Sequence, residues 1–182
     1  MKEQIKSNHR ANLTIALNEM LLNQLKNEAK RDNNTINAKT NMILEKYLQF
    51  YTHVEEQHGI ILPSEIWKKI VSLTDEKDMI DMLESKGINT FLILFEHSNI
   101  PVTIDNLIKH LFGTMSLHAG YYHRFTSQKN KMGCISLVFE HDFGIKWSKI
   151  IGTAFSNVLK KLLNITPEIK IRASTVTIKI KL

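Results

Sequence analysis

Five side chains able to ligate a metal or act as nucleophiles fall within one stretch of the sequence: His110, His118, His123, Cys134 and His141. Imidazole and thiolate together are a donor set for zinc and nickel, and such a site needs three or four of them to converge. Here they are separated by 7, 4, 10 and 6 intervening residues, with no His-x-His, His-x3-His or Cys-x2-Cys pair to preorganise a site. His118, His123 and Cys134 are the residues left as metal candidates, and only the fold can bring them together. A single cysteine in an apolar run more often behaves as a small buried hydrophobe.

Other chemical signals are weaker. Asp142-Phe143-Gly144 copies the magnesium-binding triplet of protein kinases, but no glycine-rich phosphate loop or His-Arg-Asp loop accompanies it. It reads as the turn that starts a long helix. Gly113, Gly120, Gly133, Gly144 and Gly152 form no dinucleotide or P-loop fingerprint. No Ser, His and acid set has a recognisable local context. The paired carboxylates of residues 75–84 read as the solvated face of an acidic helix. No enzyme is expected. Tyr121, Tyr122, Phe125, Phe139, Phe143 and Trp147 either line a small-molecule pocket between a sheet and the long helix or form ordinary core.

The N-terminal residues are organised for a different task. Residues 1–10 carry Lys2, Lys6, His9 and Arg10 without hydrophobic periodicity, as a basic arm does. Leu13, Ile15 and Leu17 then alternate with Asn12, Thr14 and Ala16, the period of a strand buried on one face. Asn18 is a helix N-cap candidate, and Leu21, Leu22, Leu25 and Ala29 recur at helical spacing as far as Arg31-Asp32-Asn33-Asn34. A second helix, with Asn37 as its expected cap, carries Ile43, Leu44, Tyr47 and Leu48. One six-residue strand with two helices leaves its backbone groups unpaired, and a second copy of the chain would pair them.

The stretch LTIALNEMLLNQLKNEAKRDNNTINAKTNMILEKYL resembles the ribbon-helix-helix family of bacterial and archaeal repressors, the MetJ and Arc type, over about residues 11–50. The resemblance implies a homodimer, or a higher homo-oligomer, whose two-stranded ribbon enters the major groove of double-stranded DNA. It places base contacts on Asn12, Thr14 and Ala16. Phosphate contacts would come from Lys6, Arg10, Asn37 and Lys39. Ala16 departs from the family, which usually has a polar or basic residue there; alanine offers only a methyl to thymine. Nickel-responsive members carry His and Cys ligands in a C-terminal domain, but the spacing here does not match theirs.

Residues 51–62 are expected to link this module to an α/β domain over residues 63–182. That domain opens with helices at Pro63-Ser64-Glu65 and from Asp75 to Lys86, the second capped by Thr74 and ended by Gly87. The apolar run Thr90 to Glu96 suits a central strand. A helix over 103–117, strands over 121–126 and 132–140, a helix over 145–163 and strands over 168–173 and 175–182 follow. Strand, helix, strand, strand, helix, strand is the ferredoxin-like order, so the expected class is α+β.

The 182 residues, 43% hydrophobic and 23% charged, describe a globular chain of one or two domains. No run approaches about 18 apolar residues, so no membrane span is expected. One cysteine excludes an internal disulfide framework, and a cytoplasmic protein is expected. The net charge of +6 is uneven: 8 basic against 5 acidic residues over 1–53, 4 against 8 over 54–88, and 12 against 5 over 89–182. Basic flanks favour an anionic partner. Together these features describe a sequence-specific, DNA-binding transcriptional regulator whose C-terminal domain oligomerises or senses a small-molecule effector. The alternative is an antitoxin-type DNA-binding protein whose C-terminal part holds a protein partner.

Overall fold

A computed structural model describes residues 11–131 and 133–181; Lys6 and Arg10 lie outside the described residues. The chain divides into two compact units between Glu45 and Lys46.

The first unit holds helices α1, Glu19–Arg31, and α2, Ile36–Lys46. Helix α1 starts where expected, because the Asn18 side chain accepts the Leu21 amide at 2.8 Å while its own backbone stays extended. Asn33, at φ 54°, takes the left-handed conformation that asparagine tolerates better than other side-chain-bearing residues, and so turns the chain. The second cap is Thr35, not Asn37. Thr35 Oγ1 accepts the Ala38 amide at 3.1 Å, which places Asn37 inside the first turn of α2. The strand expected over residues 12–17 is not formed in a single copy: residues 11–18 make no ladder, and no strand of the described chain pairs with them.

The second unit begins with wide π-helical turns over Tyr47–Tyr51 and the short α3, Thr52–Glu56, so part of the expected linker is helix. Helix α4, Ser64–Leu73, follows Pro63, and its last carbonyls are met from the side by Lys146. The ammonium donates to Ser72 O at 3.3 Å and to Thr74 O, a cation at the negative end of a helix. Asp75, rather than Thr74, caps α5, Glu76–Met82, accepting the amides of Lys77 and Asp78. Helical structure then runs on through π turns at Leu83–Gly87 into α6, Ile88–His97. Gly87 does not end the helix; its φ and ψ of −62° and −44° are helical.

The strand expected over residues 90–96 is therefore helix. Ile88, Phe91 and Phe95 recur at spacings of three and four and are the buried residues of α6, whereas Ile93 is 51% exposed. A short apolar run fits either geometry until its neighbours choose a face. Without that strand the ferredoxin-like order is lost. After α6 come α7, Ile104–Asn106, a nine-residue π segment over Leu107–Met115, and α8, Ser116–His118.

Four strands form one antiparallel sheet in the order β1-β2-β4-β3: β1 Arg124–Lys129, β2 Ile135–Glu140, β3 Glu168–Arg172 and β4 Thr175–Ile180. Two hairpins are thus joined by α9, Gly144–Leu163. In the central strands Ile135 faces Ile180, Leu137 faces Ile178 and Phe139 faces Val176, and all six are buried on one face. Trp147, Ile150, Ile151, Phe155 and Leu159 of α9 join them in the core. Gly152 sets how closely α9 lies on the sheet, because a Cβ there would stand 3.3 Å from Val176 Cγ1 and 3.4 Å from Ile169 Cγ2. The architecture is α+β.

Candidate functional site

In the first unit Asn12, Thr14 and Ala16 are exposed, and so are the alternating apolar residues, with Leu13 at 76% and Ile15 at 48%. Ala29 is the only buried side chain of this unit among the described residues. Helices α1 and α2 also leave Met20, Leu21, Met42, Ile43 and Leu44 exposed. The apolar residues that sequence periodicity assigned to a core thus have no core within one copy.

Charge organises the turn between the helices. Lys39 Nζ lies 2.5 Å from Asp32 Oδ2 and 3.6 Å from Glu28 Oε2, and Arg31 pairs with the same two carboxylates. The hydrogen bond with Asp32 raises the Lys39 ammonium pKa and lowers that of the Asp32 carboxyl. Lys39, expected to be a phosphate contact, is therefore engaged inside the chain. Asn37 is exposed at the amide end of α2, where the helix dipole favours an anion.

The metal candidates sit apart in the second unit's secondary structure. His118 ends α8, His123 precedes β1 and is 3.5 Å from Asp142 Oδ2, and Cys134 precedes β2 with its amide bonded to Asn130. Among the described residues no group of three or more His, Cys, Asp or Glu side chains is placed to hold a metal ion.

One His–Ser pair that the sequence did not mark is brought together, and its hydrogen-bond direction decides its role. His141 and Ser148 are fully buried with Nε2 2.8 Å from Oγ. The Phe143 amide donates to His141 Nδ1 at 3.2 Å, which leaves Nε2–H to donate to Ser148. The Ser148 hydroxyl donates onward to the Arg172 carbonyl at 2.6 Å. A nucleophilic serine would need to donate its proton to the imidazole, the reverse of this arrangement. The chain of bonds instead ties the start of α9 to the end of β3. Burial lowers the His141 pKa to about 4, keeping the ring neutral. In the same corner Gly144, at φ 81°, begins α9, and Phe143 packs edge-on to Trp147, so the Asp-Phe-Gly triplet is a helix-starting turn.

Of the two readings of the aromatic set, core holds for Tyr122, Phe139 and Trp147. Tyr122, Phe139 and Trp147 are at most 1% exposed, and the Tyr122 hydroxyl donates to the Phe112 carbonyl. A cavity of about 390 Å³ lies elsewhere, among the helices of the second unit. Its walls include Phe50, Val54, Leu83, Phe91, Leu111 and Met115, with Tyr121 the member of the expected aromatic set that reaches it. All three π-helical segments among the described residues contribute to its lining: Phe50 from the first, Leu83, Lys86 and Gly87 from the second, and Leu111 and Met115 from the third.

No described helix is long and apolar enough to cross a membrane. Comparison of the chain with protein-family models, with curated proteins and with solved structures gives no match in any of the three.

Proposed function

We propose that the chain is a sequence-specific DNA-binding regulator that acts as a homodimer through its first forty-five residues. The observation that carries this reading is the uncovered apolar set of the first unit: Leu13, Ile15, Leu17, Met20, Leu21, Ile43 and Leu44 stay exposed while Ala29 alone is buried among the described residues. Burying side chains of this size contributes about 1.5–3 kcal/mol each, a gain a second copy presenting the same face can supply. Antiparallel pairing of residues 11–18 with their counterpart would satisfy the strand's backbone. It would turn Leu13, Ile15 and Leu17 onto four helices and leave Asn12, Thr14 and Ala16 outward on a ribbon that fits the major groove. The amide end of α2 near Asn37 supplies a phosphate anchor. Lys6 and Arg10 would add cations from the arm. The second unit, which has a core of its own, oligomerises the chain further or senses a small molecule.

Selection of the full chain on random duplex DNA at two salt concentrations tests this. The expected result is a short inverted repeat, bound with a log–log salt slope near about −5 for roughly 6 neutralised phosphates. Retention that ignores salt, or no retention, would overturn it. Asn12→Ala with Thr14→Ala should weaken binding to the selected repeat more than binding to random DNA. Equal losses on the two would remove the ribbon as the base-reading element.

A further inference from the structure

We propose that the cavity of the second unit is a binding site for a single-chain amphiphile with an apolar body and an anionic head. This goes beyond the DNA-binding reading and does not depend on it. The volume of about 390 Å³ lies within the range of built small-molecule sites and, at roughly 30 Å³ per heavy-atom-sized group, holds about a dozen such groups. Its lining is mainly apolar, Phe91, Phe155, Val158 and Leu111 among it, with Gln57, Thr90, Ser116 and Tyr121 as the uncharged polar residues, so most of a ligand's surface there would meet hydrocarbon.

The head group is set by charge. No acidic residue lines the cavity, whereas Lys86 and His53 do. Lys86 is exposed, as a residue at the mouth must be, and makes no ion pair among the described residues. The carboxylate two positions away, Glu84, is turned to other partners: Lys161 Nζ at 2.7 Å and the Asn157 amide. His53 approaches Glu56 at 3.3 Å, but Glu56 is 64% exposed and is not part of the lining. A mainly apolar cavity with an ammonium group in its lining and no carboxylate favours a carboxylate or similar anion on an alkyl body over a neutral or cationic one.

Backbone geometry points to the same place. A π turn is rare and is frequently found at functional sites. All three such segments in the described residues end on this one cavity.

The test is calorimetric titration of the full chain, without DNA, with decanoate, decan-1-ol and decyltrimethylammonium. Decanoate should bind saturably at one site per chain and raise Tm with concentration. Lys86→Gln should weaken decanoate about five-fold, the value of one exposed charge pair of about 1 kcal/mol, and leave decan-1-ol unchanged. Val158→Phe and Met115→Trp fill the cavity from different walls, and either one that keeps the parent's circular dichroism should abolish binding. Absence of saturable decanoate binding would overturn the proposal, as would parental affinity in a folded cavity-filling variant. A Lys86→Gln variant that weakens decan-1-ol as much as decanoate would overturn the anionic head. DNA selection by the same protein remains a separate readout, so either result can fail alone.

Discussion

His141 is the residue whose environment makes the clearest prediction at its own scale. Its ring is fully buried, accepts from the Phe143 amide and donates to Ser148, and burial lowers its pKa from the ordinary 6.5 to about 4. In the unfolded chain the imidazole takes up a proton near pH 6.5; in the folded chain it resists until about pH 4. The folded pKa is the lower one, so the stability contribution is fully present above pH 6.5 and is lost as pH falls toward 4. By pH 5 the loss from this group is about 2 kcal/mol. Urea unfolding at pH 7 and pH 5 should therefore show a drop that shrinks by that amount in His141→Asn. An equal drop in the variant would mean that the ring is not held neutral. Lys39 is the contrasting case. The ribbon-helix-helix resemblance implies a phosphate contact there, and within one copy its ammonium pairs with Asp32 and Glu28 across the turn.

At the scale of elements, the long helix α9 was legible because its apolar residues repeat over twenty positions, enough for the helical period to be unambiguous. The second hairpin was legible for the same reason at period two, with Ile169 and Ile171 alternating on one strand and Val176, Ile178 and Ile180 on the other. In the first, the strand expected over 121–126 runs instead over Arg124–Lys129, because the polar Ser127, Gln128 and Lys129 pair with β2 rather than forming the turn. The segment Thr90–Glu96 was not legible, because its five successive apolar residues, 91–95, carry no period at all, and the choice of helix came from Phe91 and Phe95 finding the core together. Gly87 does not stop the helix because the glycine helix stop works through a positive φ at that residue, and here φ is −62°. Gly152 has a role that its sequence context conceals. Gly152→Val should cost about 1–3 kcal/mol by pushing α9 off Val176 and Ile169, whereas Gly152→Ala should lie near neutral, its gain in helix propensity offsetting a tight contact. Chemical denaturation of both variants checks this. A Val variant as stable as the parent would show that the close approach of helix and sheet is not needed.

On the scale of the whole molecule, the two units differ in what they can do alone. The second has a continuous core from Val71 to Ile180, while the first leaves its apolar residues in water. Ile15→Asp should therefore convert a dimer to a monomer in sedimentation and abolish DNA retention. It should also preserve the near-ultraviolet signal of Trp147, which is buried in the second unit. A variant that still sediments as a dimer would place the principal interface in the second unit instead.

The chain's own residue order determined the elements whose period is long and clean: the Asn18 cap and α1, α9, and the second hairpin. Periodicity is a property of consecutive residues, so it can be read without knowing what lies opposite. Tertiary structure alone decided which face the 90–96 run would use and that Tyr122 and Trp147 would be core rather than pocket wall. It also decided that His141 would lock to Ser148 and that three widened helical turns would meet around one cavity. Each of these depends on residues between seven and roughly a hundred positions apart, and packing against a distant neighbour leaves no mark on local spacing.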